Sequence, residues 1–265
     1  MVKKKNSEVF MDNNAFGKKV FFIYPHSVIQ NELIQDLIDR EYEVYFINDH
    51  TKVTSICEYY SSPILFINID EGIEEPQWEN LIKSLLENTG TNHARIGIVT
   101  YNENAQLAQK YLMDIMVPCG FIKLKLGLSE STKIIVKTLE ANEVKGQRKY
   151  VRAKCNPSEA TLNVTIKNAL VSGQIIDISS VGMAITFDGS QDLEKNTYLK
   201  DIQLKLRGIL LRVSAVVIGH REQAGEKTMY VLLFDQFVTN QIKSKLRSYI
   251  NRTLQHEMER KLQIR

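Results

Sequence analysis

The stretch ATLNVTIKNALVSGQIIDISSVGMAITF, residues 160–187, alternates apolar and polar side chains on a two-residue period. Leu162, Val164 and Ile166 form one set, Val171, Ile175 and Ile176 a second, and Met183, Ile185 and Phe187 a third. Successive side chains of an extended chain point to opposite faces, so each set predicts a strand with one face on a core. Ser172-Gly173 and Asp188-Gly189 are the predicted turns. Working outward, Leu199–Arg207, Ile209–His220 and Thr228–Phe234 read as further strands with no helical period between them. Six or seven short strands in succession predict a small antiparallel barrel over residues 153–235.

On the C-terminal side, Gln236–Ile264 reads as one long helix. Ile242, Leu246, Tyr249, Ile250, Leu254, Met258 and Leu262 make an apolar stripe, and Lys243, Lys245, Arg247, Arg252, Arg260 and Lys261 lie elsewhere. The stripe is longer than one small barrel needs, so it is expected to pack on the barrel and continue into a partner helix, as in a dimer, or into the N-terminal domain. A membrane surface ranks lower, because the polar face also carries Glu257 and Glu259.

On the N-terminal side the texture changes at a basic segment, residues 145–152, Lys-Gly-Gln-Arg-Lys-Tyr-Val-Arg, which reads as a linker. Before it, residues 18–144 alternate strand and helix signals five times, after a tail over 1–17. The strands are expected at Val20–Tyr24, Glu43–Asn48, Pro63–Asp70, Arg95–Tyr101 and Gly120–Lys125. The helices are expected at Val28–Arg40, Lys52–Tyr60, Gln77–Glu87, Ala105–Met116 and Ser131–Glu143. Parallel strands need crossover connections, so the alternation predicts a parallel sheet covered on both faces. The layout resembles the flavodoxin-like receiver domains of response regulators. Asp70, Thr100 and either Lys123 or Lys125 stand near the places of a receiver's phosphoacceptor, hydroxyl and lysine. Receivers also carry an acidic pair that holds Mg²⁺ after the first strand, and this chain has Tyr24, Pro25, His26 and Ser27 there. The resemblance therefore implies a receiver-like shell without phosphotransfer.

Bulk properties narrow the function. At 265 residues the chain has room for two domains, at roughly 100 to 200 residues each. Residues 1–144 hold 14 Lys and Arg against 20 Asp and Glu, a balance of −6, and the remainder is +9. The second half thus attracts anions, among which charge alone does not choose. No apolar run reaches the roughly 20 residues that cross a bilayer. The basic start Met1–Asn6 is followed by polar residues, unlike a secretory signal, so a cytoplasmic location is expected. Cys57, Cys119 and Cys155 are too widely spaced for a zinc site or a disulfide framework and are expected as reduced thiols. Neither GxGxxG nor GxxxxGK[ST] occurs, and the five histidines are scattered, so no metal, cofactor or catalytic constellation is expected.

Two short patterns carry the specific signal. Arg148 and Arg152 form RxxxR, and Asp177, Ser179 and Gly182 form [DN]xSxxG about 25 residues on. Together, in an all-β setting, they resemble the PilZ family of cyclic di-GMP receptors, over roughly Gly146–Phe234. One departure is Val231, where many members have glycine before an x-Phe ending. The resemblance implies a non-enzymatic receptor whose ligand is cyclic di-GMP, in bacterial signalling such as motility or virulence. Arginine suits that ligand, since its fork donates two parallel hydrogen bonds to a phosphate or to guanine O6 and N7. By the same resemblance Asp177 accepts from guanine N1 and N2, Ser179 bonds a phosphate or base, and Gly182 permits close backbone approach. Gln147 and Lys149 are candidate auxiliaries. The expected partners are this ligand and an unidentified downstream protein. Nucleic acid bound by the basic half, and a phosphorylated regulator acting through Asp70, remain as rival readings.

Overall fold

A computed structural model of the chain describes residues 17–27, 29–124, 127–222 and 227–263. It divides into two compact units, Met1–Lys149 and Tyr150–Arg265.

The first unit is built on five parallel strands, β1 (Val20–Ile23), β2 (Val44–Ile47), β3 (Ile64–Asn68), β4 (Arg95–Thr100) and β5 (Phe121–Lys123). Their order, β2-β1-β3-β4-β5, is the flavodoxin-like one. β1 and β3 are buried along their whole length, as expected of strands covered on both faces. On one face Ile29, Leu33, Ile34, Leu37, Ile135 and Leu139 pack on Val20, Phe22 and Phe66. Five helices cover the sheet: α1 (Ile34–Asp39), α2 (Val53–Tyr59), α3 (Glu75–Glu87), α4 (Ala105–Gln109) and α5 (Leu128–Ala141).

Two helices differ from the single stretches that periodicity predicts. Ile29–Leu33 and Lys110–Asp114 are π-helical, so α1 starts late and α4 ends early, and Met116 then turns left-handed at φ 56°. α3 begins two residues before the predicted Gln77. Glu74 caps it in a capping box with Gln77, and Pro76 fits the first turn, where no backbone N–H is needed. Lys125, residues 1–16, Val28 and Ile264 lie outside the described residues.

The second unit is a closed antiparallel barrel. β7 (Ala160–Ile166), β8 (Ala169–Ser179), β9 (Gly182–Phe187), β10 (Tyr198–Leu206), β11 (Ile209–Arg221) and β12 (Met229–Phe234) pair in the circuit β8-β7-β10-β11-β12-β9, and β9 returns to β8. Closure leaves none of these six as an open edge along its whole length. The core takes up most of the alternate sets, including Leu162, Val164, Ile175, Ile185, Leu204, Val213 and Leu232, whereas Val171 only packs against it part-buried and Ile176 is outside it. A long final helix, α6 (Asn240–Gln263), adds Leu246, Tyr249 and Ile250 to that core. It starts four residues after the predicted Gln236, because Asp235 accepts from the Phe237 amide at 3.0 Å and closes a turn there. Among the described residues no helix is long and apolar enough to cross a membrane.

Two expectations are corrected. Ser172-Gly173 is not a turn: both lie inside β8, opposite Asn163 and Leu162 of β7. The turn is Lys167-Asn168, whose φ values of 49° and 65° match the two-residue hairpin that follows strand twist. Gly173 sits in the strand because a Cβ there would stand 2.4 Å from the Thr186 carbonyl oxygen. The segment 145–152 is likewise not all linker. Arg152 opens a short strand, β6 (Arg152–Lys154), that pairs antiparallel with the end of β8. Gly173 and Gln174 of β8 pair with both β7 and β9, and Asp177 and Ile178 with both β6 and β9. A strand has two edges, so β6 continues the β7 side of β8.

Candidate functional site

β8, β9 and β6 meet around the second sequence pattern. Ile175 and Ile178 of β8 enter the core, and the register slips by one residue between Ile175 and Asp177. Such a bulge re-aims the side chain beyond it. Asp177 stands opposite Lys154 of β6 on one side and Ala184 of β9 on the other. Arg152 stands opposite Ser179 and, half exposed at its edge, brings Nη1 to 3.5 Å from Asp177 Oδ1. That separation is a charge contact and not a hydrogen bond. Asp177 Oδ1 is nonetheless buried, and no described residue donates a hydrogen bond to it. The Asp177 side chain is 29% exposed, so the part of the carboxylate open to solvent is not Oδ1.

The other pattern residues do different work. Ser179 is 1% exposed, and its hydroxyl donates to the Gly182 carbonyl at 3.1 Å while accepting from the Val181 amide at 3.4 Å. It shapes the β8–β9 turn from within. Gly182 does not take a left-handed φ; its need is space, because a Cβ would lie 2.4 Å from the Leu232 carbonyl oxygen on β12. Arg148, Gln147 and Lys149 are exposed and fall in the first compact unit, whereas Arg152 falls in the second. Sequence reasoning missed β6, and with it Lys154 opposite Asp177. Three residues are too few for a period, so only the exposed-buried-exposed order of Arg152, Ala153 and Lys154 marks it.

In the first unit, Asp70 lies at the carboxyl end of β3, beside the crevice where open α/β sheets bind ligands. It is fully engaged by its own neighbours. Thr100 donates its hydroxyl to Oδ1, and the Tyr101 amide donates to Oδ2 at 2.7 Å. His26 brings Nε2 to 3.4 Å from Asp70 and Nδ1 to 3.0 Å from Glu71, with its ring edge-on to Tyr101. An imidazole thus stands among the carboxylates. Incubation with a small phosphodonor and Mg²⁺ is therefore expected to leave the intact mass unchanged; an added phosphate on Asp70 would show that this arrangement yields to the cation. Among the described residues no group of three or more His, Cys, Asp or Glu is placed to hold a metal.

The second unit is thus a closed barrel on which β6 sets Arg152 beside Asp177 of β8. Residues 146–252 match the family model described as PilZ domain, a match that spans most of the second unit. No curated protein matches the sequence. Among solved structures, the chain is similar to the PilZ domain with c-di-GMP of YcgR from Escherichia coli, at 15% identity and TM-score 0.39, covering 43% of this chain and 96% of that one. It is similar to the MrkH–c-di-GMP complex of K. pneumonia at 21% identity and TM-score 0.38, covering 44% of this chain and 57% of MrkH. The chemotaxis response regulator CheY4 of Vibrio cholerae is similar at 14% identity and TM-score 0.38, covering 47% of this chain and 98% of that one. The chain thus spans a little over half the length of MrkH.

Proposed function

We propose that this protein is a receptor for cyclic di-GMP and acts by ligand-dependent arrangement of its two units, without catalysis of its own. The observation that carries the reading is a part-exposed pair, Arg152 Nη1 at 3.5 Å from Asp177 Oδ1, within the residues that match the PilZ domain model. The pair asks for one ligand with two properties: an edge of N–H donors for the carboxylate, and an anion for the guanidinium. Guanine N1–H and N2–H₂ meet the first need and a phosphodiester the second. Asp177 and Arg152 hold the ligand, Arg148 supplies the second fork, and Gln147 and Lys149 assist from the same segment. Ser179 and Gly182 keep the β8–β9 turn in the shape that presents Asp177. Because residues 145–152 join the units, a ligand held by both arginines restricts that connection. It favours one arrangement only by its difference in affinity between arrangements. A downstream protein reads the result.

Titration calorimetry of the intact chain with cyclic di-GMP tests this. Saturable heat is expected, with an affinity that falls as salt is raised, since phosphate–guanidinium attraction is screened. Folded protein that gives no heat at high ligand concentration would overturn the assignment.

A further inference from the structure

Strand β6 is three residues long and, among the described residues, pairs only with β8, yet it carries Arg152. So short a ladder fixes a side chain poorly unless something holds the strand from behind. Alternation turns Arg152 and Lys154 outward and buries Ala153 completely. The next residue, Cys155, continues the ladder by donating its amide to the Ile176 carbonyl at 2.8 Å, and its side chain packs against the barrel core. Helix α6 covers this inner side, lying on β6 and β8. From it the Tyr249 hydroxyl, on a side chain 3% exposed, donates to Cys155 Sγ at 3.7 Å, and Sγ in turn faces the Ala153 carbonyl at 3.9 Å. A polar chain thus runs from α6 through the thiol to the backbone of β6. Burial pushes the Cys155 thiol up to about 11; the Tyr249 hydroxyl acts against this, and the charge of Asp177 adds a smaller rise.

We infer that Tyr249 is a positioning residue for the ligand site: by holding Cys155 it keeps β6 in the register that sets Arg152 beside Asp177, which makes α6 part of the ligand response. The inference rests on the receptor reading above. It follows by reciprocity that whatever steadies α6 on Cys155 tightens ligand binding, and that bound ligand steadies α6.

Tyr249→Phe keeps the ring and its packing and removes only the hydroxyl. Calorimetry of this variant is expected to show cyclic di-GMP affinity about threefold weaker, the scale of one neutral hydrogen bond. The decisive readout is non-additivity with Arg152→Ala. If Tyr249 acts through Arg152, Tyr249→Phe costs nothing further once Arg152 is gone. An equal loss in both backgrounds would mean a general structural effect and overturn the inference, as would unchanged affinity in the single variant. Absence of binding by the wild-type chain would sink the receptor reading and this inference with it, whereas a binding wild type with an indifferent Tyr249 sinks this inference alone.

Discussion

Arg152→Ala is expected to weaken cyclic di-GMP binding by roughly ten- to a hundredfold while leaving the melting temperature almost unchanged. The two halves of that expectation have different origins. A hydrogen bond to a charged group contributes about 1.5–3 kcal/mol, and about 1.4 kcal/mol is a factor of ten in affinity. The same arginine adds little to the fold. Its side chain is 48% exposed, its contact with Asp177 is 3.5 Å long, and exposed pairs of this kind contribute about 0–1 kcal/mol. Asp177→Ala is expected to match the affinity loss, because the guanine donors then meet no acceptor, and it also removes a buried orphan oxygen, so stability holds or rises slightly. Lys154→Ala is the control: it neighbours Asp177 by register, but the sequence patterns do not include it. Calorimetry paired with thermal unfolding separates the effects. Unchanged affinity in both Arg152→Ala and Arg148→Ala would remove the site.

The sequence displayed the barrel because its core rests on long alternating runs. Leu162, Val164 and Ile166 keep their period over seven residues of β7, and burial follows it. It misplaced the first hairpin because Ser-Gly is ordinary turn chemistry, while Lys167-Asn168 is a turn only once left-handed φ values are known. Gly173 is the instructive case: a glycine that reads as a turn is in a strand, where another backbone comes too close for a Cβ. At the site, residue types were legible and their division of labour was not. Asp177 and Ser179 are two residues apart on β8, which by period puts them on one face, yet Asp177 is 29% exposed and Ser179 is 1% exposed. The contact between α6 and the residue after β6 was beyond reach, since Tyr249 and Cys155 are 94 residues apart and neither belongs to a motif. In the first unit, Tyr24, Pro25, His26 and Ser27 stand where a receiver's acidic pair is expected, and the structure adds that the His26 imidazole lies beside Asp70 and Glu71.

Gly182→Ala is expected to be among the most damaging single-methyl additions to the second unit. The added carbon would stand 2.4 Å from the Leu232 carbonyl oxygen, and that atom belongs to the backbone of β12, which cannot rotate aside as a side chain would. β9 and β12 pair from Gly182↔Leu233 to Thr186↔Met229, so relief at Gly182 means spreading two strands of a closed barrel. Overpacking of this type costs about 1–3 kcal/mol, and each kcal/mol lowers the melting temperature by roughly 4–8 °C in a unit of about this size. A drop of about 10 °C is the expected reading. Gly189→Ala is the matched control: its Cβ meets nothing within 4 Å and its φ is not left-handed, so its melting temperature should stay within a degree or two of wild type. Binding should fall with Gly182→Ala as well, because the Gly182 carbonyl accepts the Ser179 hydroxyl, and moving that oxygen loosens the turn that follows Asp177. If Gly182→Ala and Gly189→Ala melt together, the close approach of β9 to β12 is not what fixes glycine at this position of the motif.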